Sequence, residues 1–196
     1  MATEVINERK LYPSYEIIGG KKIMAPSANT THNAIGGRLY MFIGTYLDAK
    51  DLGYCFTDSA EIHFPDGSLF QPDFSVVLKE NEGILNWGGD IYGVPDMVVE
   101  VLSRSTKKRD VTVKKDTYEA NGVREYWIVD PWAKSVAVYL LRDGKYIFDD
   151  EYILFDADEF EKLTDAEKAE VKTEVPVSIL DGLTVPLKYI FKWGYK

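Results

Sequence analysis

Hydrophobic and polar positions change their spacing several times along the chain, and each change marks an element. Tyr15–Ala25 (YEIIGGKKIMA) holds two short β-prone runs around Gly19-Gly20, which predicts a tight hairpin. Asn29 and Thr30 are good N-caps, and after them His32, Ile35, Leu39, Phe42 and Tyr46 recur at spacings of three and four. That period predicts a helix closing before Gly53. From there the period falls to two. Tyr54–Phe64 reads as a strand, Asp66-Gly67 as a turn, and Leu69–Leu78 as a second strand with Pro72 pointing to an edge or an irregularity. Glu80–Gly93, rich in Gly and Asn, reads as a loop.

The second half follows a different rhythm. Asp96–Leu102 is nearly continuous apolar sequence, the signature of a strand buried at a sheet centre. Asp110 can cap a helix running to Ala120, which Asn121-Gly122 ends, and Val123–Val129 returns to a strand. Val136–Leu141 and Lys145–Phe155 flank Asp143-Gly144, the strongest hairpin signal in the chain. Asp156–Lys172 reads as one solvated helix, and Val185–Trp193 as a terminal apolar segment. The order predicts an α/β (α+β) architecture: a central mixed sheet flanked by helices, with an added β-hairpin region.

Composition narrows the classes. The 196 residues, 45% hydrophobic, suit a single domain spanning 1–196. One cysteine, Cys55, excludes an intramolecular disulfide and fits a reducing, cytoplasmic setting. With only two histidines, His32 and His63, a structural zinc site of the Cys/His type is not expected, so a divalent metal would sit largely on carboxylates. No apolar run is long enough for a membrane helix, and the opening residues do not read as a signal segment. The net charge of −9 is concentrated: residues 149–174 hold eleven acids against three bases, −8 of the total, and read as an acidic insertion. Residues 104–115 (RSTKKRDVTVKK) carry six bases against one acid. Such a run is most often a solvated loop, and it also suits a localised contact with nucleic acid.

Candidate chemistry rests on two acids inside apolar strands. Alternation puts Gln71, Asp73, Ser75 and Val77 on one strand face and Val98, Glu100 and Leu102 on one face of the next. Buried carboxylates need a partner, and two at one site oppose joint ionisation. A divalent cation resolves that conflict, and hard oxygen ligands select Mg²⁺, Mn²⁺ or Ca²⁺. The plainer alternative makes Glu100 half of a buried ion pair and Asp73 a turn cap. Lys114 and Tyr118 share a helix face with Val111, so Lys114 can point at the sheet or merely snorkel over its rim. His32 lies on the first helix's apolar stripe, where most histidines are core residues. Glu16 and Glu61 suit sheet edges, with outer contacts to a site as the alternative, and Trp127 suits the core.

The run EVLSRSTKKRDVTVKKDTYEANGVREYWIVDP, residues 100–131, resembles the signature of the Uma-two family, restriction-endonuclease-like proteins of the PD-(D/E)xK nuclease superfamily. Residues 15–35, 71–77 and 177–191 join the resemblance, which covers most of the chain. It implies a restriction-endonuclease-like core in which Pro72-Asp73 is the PD, Glu100 the second acid, and both are metal ligands. The superfamily lysine, two positions after the second acid, is replaced by Leu102. In members whose lysine has moved to the neighbouring helix the equivalent here is Lys114, with Lys115 second. His32, Gln71 and Tyr118 are possible supporting residues, and Arg104, Lys107, Lys108, Arg109 and Lys115 possible contacts to nucleic acid.

The implied activity is a Mg²⁺- or Mn²⁺-dependent endonuclease that cuts phosphodiester bonds, with DNA as the expected substrate and a homodimer as the expected assembly. The alternative is a degenerate nuclease fold that binds nucleic acid or a protein without cutting, which Leu102 and the acidic segment favour.

Overall fold

The computed structural model describes residues 15–24, 30–57, 60–103 and 110–192. Its centre is a six-stranded mixed sheet in the order β11-β10-β9-β8-β6-β3. These strands are β3 (Gly53–Thr57), β6 (Phe74–Leu78), β8 (Met97–Val101), β9 (Glu125–Asp130), β10 (Ser135–Arg142) and β11 (Lys145–Ile153). β8 and β9 run parallel, as a strand–helix–strand crossover requires, and the other pairs are antiparallel. The Asp143-Gly144 hairpin is therefore an extension of the central sheet.

A second sheet forms over one face of the first, in the order β2-β1-β5-β4-β7. It contains β1 (Tyr15–Ile18), β2 (Lys21–Met24), β4 (Ile62–His63), β5 (Leu69–Phe70) and β7 (Ile91–Tyr92). Two runs that read as single strands are each divided between the sheets. Tyr54–Phe64 gives β3 and β4, and Leu69–Leu78 gives β5 and β6. The second division falls at Gln71-Pro72-Asp73: proline cannot donate to a ladder, so the chain leaves one sheet there and enters the other.

The first helix, α1 (Thr30–Lys50), matches its predicted span, and its buried stripe is Ile35, Leu39, Ile43 and Leu47. That stripe packs on one face of the central sheet with Phe74, Val76, Met97, Val99 and Trp127, and with the C-terminal Val185, Leu187 and Ile190. Gly36 is buried in α1 because a Cβ there would stand 3.0 Å from the Asp73 carbonyl oxygen. The opposite sheet face carries a second cluster: Ile62, Phe70, Val98, Leu102, Tyr118, Tyr126 and Ile128.

Between β8 and β9, a wide π-helical turn at Asp110–Lys114 leads into α2 (Lys115–Asn121). Gly122, at φ 93°, takes the left-handed C-cap conformation. The acidic segment forms two short helices, α3 (Ala157–Glu161) and α4 (Asp165–Glu170), where one helix was predicted. Each starts with a complete capping box, on Asp156 with Glu159 and on Thr164 with Glu167, and the second box interrupts the helix. Among the described residues no helix is long and apolar enough to cross a membrane.

Candidate active site

Register brings the two strand acids together. β6 and β8 pair antiparallel with Phe74 opposite Val99, so one further step sets Asp73 opposite Glu100 on the same face. Asp73 is held from both sides. The Val101 backbone N–H donates to its Oδ2 at 2.7 Å, and His32 Nδ1 lies 3.0 Å from its Oδ1. His32 sits one turn before Gly36 on α1, so the close approach that the glycine permits also delivers the imidazole. Burial works against a charged His32, yet the hydrogen bond and charge of Asp73 outweigh it and hold the imidazole above its ordinary pKa. A cavity of about 280 Å³, lined by His32, Asn33, Gly36, Gly37, Thr57 and Asp73, opens beside this pair.

Glu100 enters a buried polar knot. Its Oε1 accepts from Lys114 Nζ at 2.9 Å and from the Tyr118 hydroxyl at 2.6 Å. Lys114 Nζ also lies 2.7 Å from Glu16 Oε1 and 3.6 Å from Asp110 Oδ1. Its side chain is 4% exposed, so this lysine does not snorkel. Burial lowers the affinity of Lys114 for its proton, but the carboxylates of Glu100, Glu16 and Asp110 overcome that and hold it above the usual lysine value. Burial pushes Glu100 up to about 8, against the pull of Lys114. Three acids around one lysine cannot all ionise without leaving excess negative charge, which is the conflict expected where a cation belongs.

The remaining predicted positions distribute as follows. Tyr118 is fully buried against Phe64, Phe70 and Tyr126 with its hydroxyl on Glu100. Lys115 points elsewhere, its Nζ 4.9 Å from the centre of the Tyr139 ring. Lys115, the second choice after Lys114, thus lies away from Glu100, because a one-residue step rotates the side chain. Gln71 donates to Glu61 Oε1 at 3.0 Å and not to either strand acid, because the chain turns between Gln71 and Asp73. Glu16 is not at a sheet edge, since β1 has neighbours on both sides, and its side chain faces inward to Lys114. Its signal in the sequence was an acid within the apolar run Tyr15–Ile18. Glu61 adjoins β4, which likewise lies between two strands. Trp127 is core. Leu102 is buried in the second apolar cluster. Arg104, Lys107, Lys108 and Arg109 lie outside the described residues.

The family described as "Uma2: Putative restriction endonuclease" matches residues 8–174. This chain belongs to the Uma2 family. The Uma2 assignment agrees with the resemblance carried by residues 100–131, all of which fall inside the match. Among solved structures, a protein described as a putative nuclease belonging to DUF820, from Anabaena variabilis ATCC 29413, is similar at a TM-score of 0.70. It shares 23% identity over 96% of this chain and 97% of that one, which shows a common fold. No curated protein matches.

Proposed function

We propose that this Uma2 chain is a metal-dependent endonuclease that hydrolyses phosphodiester bonds in nucleic acid, with DNA as its substrate. The observation that carries this reading is the juxtaposition of Asp73 with Glu100 on paired strands, with Lys114 from the following turn 2.9 Å from Glu100. The all-oxygen donors fit Mg²⁺ or Mn²⁺: two carboxylates stand opposite each other in the register of adjacent strands, and burial disfavours the charged form of Glu100. Asp73 and Glu100 would hold such an ion, which when bound polarises the phosphate and lowers the pKa of water.

The chain's own groups have distinct parts in this proposal. Lys114, kept protonated by its carboxylate neighbours, acts as a fixed positive charge and donor towards the phosphate, not as a base. Tyr118 orients Glu100 through its hydroxyl, and His32 orients Asp73. Glu16 holds the lysine Nζ in place. The basic stretch 104–109, between Glu100 and Lys114 in the chain, would contact the backbone of the substrate together with Lys115. A homodimer would allow cutting of two strands, and a cytoplasmic setting suits the single cysteine. Burial of Leu102 at the usual lysine position favours a second reading, a fold that binds without cutting.

The test is incubation of the protein with plasmid and single-stranded DNA in Mn²⁺ or EDTA, beside Asp73→Asn and Lys114→Ala. Metal-dependent cleavage that falls by about 100-fold or more in both variants is expected. Cleavage equal in all three proteins, or none by the wild type, would move the conclusion to the binding reading.

A further inference from the structure

The smaller sheet carries a second group of ligating side chains on the face opposite its core. Ile62 is fully buried, so its neighbours Glu61 and His63 point outward. β4 pairs in parallel with β7, Ile62 beside Ile91 and His63 beside Tyr92, which places Asp90 next to Glu61. The result is a compact trio. His63 Nε2 lies 3.3 Å from Asp90 Oδ2 and 3.9 Å from Glu61 Oε2, and one donor atom from each residue falls within 4.8 Å of the others.

Two surrounding contacts fix the trio. Gln71 donates to Glu61 Oε1 at 3.0 Å and leaves Oε2 turned to the histidine. The Tyr92 ring stacks on the imidazole with centroids 4.6 Å apart and planes 14° from parallel, which sets the ring plane. Gln71 comes from the end of β5, so three adjacent strands contribute. Charge is what this arrangement lacks. Neither Glu61 nor Asp90 has a lysine or arginine partner among the described residues, whereas Asp96 has Arg124, Glu119 has Lys145 and Glu100 has Lys114.

We propose that Glu61, His63 and Asp90 form a second divalent-cation site, separate from Asp73 and Glu100, that takes a first-row transition ion such as Zn²⁺, Mn²⁺ or Co²⁺. Metal–ligand bonds of about 2.0–2.2 Å put neighbouring donors roughly 3 to 3.5 Å apart, and small side-chain rotations bring the trio to that spacing. One imidazole with two carboxylates favours such ions over Mg²⁺ and Ca²⁺, which prefer oxygen alone. The three side chains are about one-third exposed, so water would complete the coordination. Gln71 serves as the outer contact that orients a ligating carboxylate. A bound ion would tie β7 to β4 and stiffen the sheet whose inner face presents Glu16 to Lys114.

The test uses Co²⁺ and Zn²⁺ alone as probes. Visible absorption of bound Co²⁺ and calorimetric titration with Zn²⁺ are recorded for the wild type, His63→Gln, Gln71→Ala and Asp73→Asn. The expected result is one equivalent of ion that survives Asp73→Asn, weakens by about tenfold or more in Gln71→Ala, and is lost in His63→Gln. His63→Gln replaces an exposed-face side chain and should keep the wild-type circular dichroism, so loss of binding reads the site and not the fold. Co²⁺ and Zn²⁺ binding unchanged in His63→Gln, or absent from the wild type at millimolar ion, would overturn the proposal. DNA cleavage is not a readout here, so failure of the nuclease reading leaves this result standing.

Discussion

Lys114 shows how much one residue can settle. From the sequence alone its position on a mixed helical face allowed two opposite outcomes, a solvated head or an inward one, because periodicity gives a face but not a depth. Its contacts with Glu16, Glu100 and Asp110 decide for the inward one. Removing that charge withdraws a buried cation from three neighbouring carboxylates. Lys114→Met should therefore lower stability by about 3–5 kcal/mol, measured as a reduced urea midpoint with the same slope. Combining it with Glu100→Gln should recover part of the loss, since the substitutions remove opposite charges from one contact. A double-mutant sum equal to the two single effects would show that the pair is not coupled. Asp73 and Glu100 were legible earlier, as lone acids in apolar strands. Glu16 was legible only as an acid in a short strand, because its partner Lys114 comes from a turn 98 positions further along the chain.

At the scale of elements, periodicity located α1, β8, β9 and the β10–β11 hairpin well, since each is long or bounded by strong turn residues. It failed where one apolar run serves two sheets. Nothing in the alternation of Leu69–Leu78 indicates that its halves pair with different partners, and Pro72 is the only local mark of the break. The acidic helix was divided for a similar reason: local capping at Thr164 overrides a charge pattern that reads as continuous. Neither α3 nor α4 contains a buried residue. Both lie between core strands, with Leu154 before them and Val175 after them in the principal cluster. We propose that this segment is an appendage. Replacing residues 156–172 by a short Gly/Ser linker should keep a single cooperative unfolding transition and change the net charge from −9 to −5. A broad or multi-step transition would place the helices in the folding unit.

Across the whole molecule, buried acids should give the stability curve its pH dependence. Glu125, at the start of β9, is fully buried. It accepts from Trp127 Nε1 at 2.7 Å and from the Ile179 N–H at 2.9 Å, yet burial still pushes it from 4.5 up to about 7. The folded chain therefore holds a proton that the unfolded chain releases near pH 4.5. The corresponding stability is complete below that pH and is lost as pH rises through about 7. A rise of this size corresponds to about 3 kcal/mol. Melting temperatures recorded from pH 5 to 8 should fall, and Glu125→Gln should flatten part of that fall. An identical slope in the variant would assign the dependence to other groups, Glu100 first among them.

The Glu16–Lys114–Glu100 contact has a further meaning for the life of the chain. It fastens one sheet to the other through residues that are far apart in sequence, so it exists only after both sheets have closed. A nascent or partly melted molecule carries every one of these side chains but has no assembled centre. For a protein whose proposed work is cutting nucleic acid, the last step of folding would also be the step that arms it.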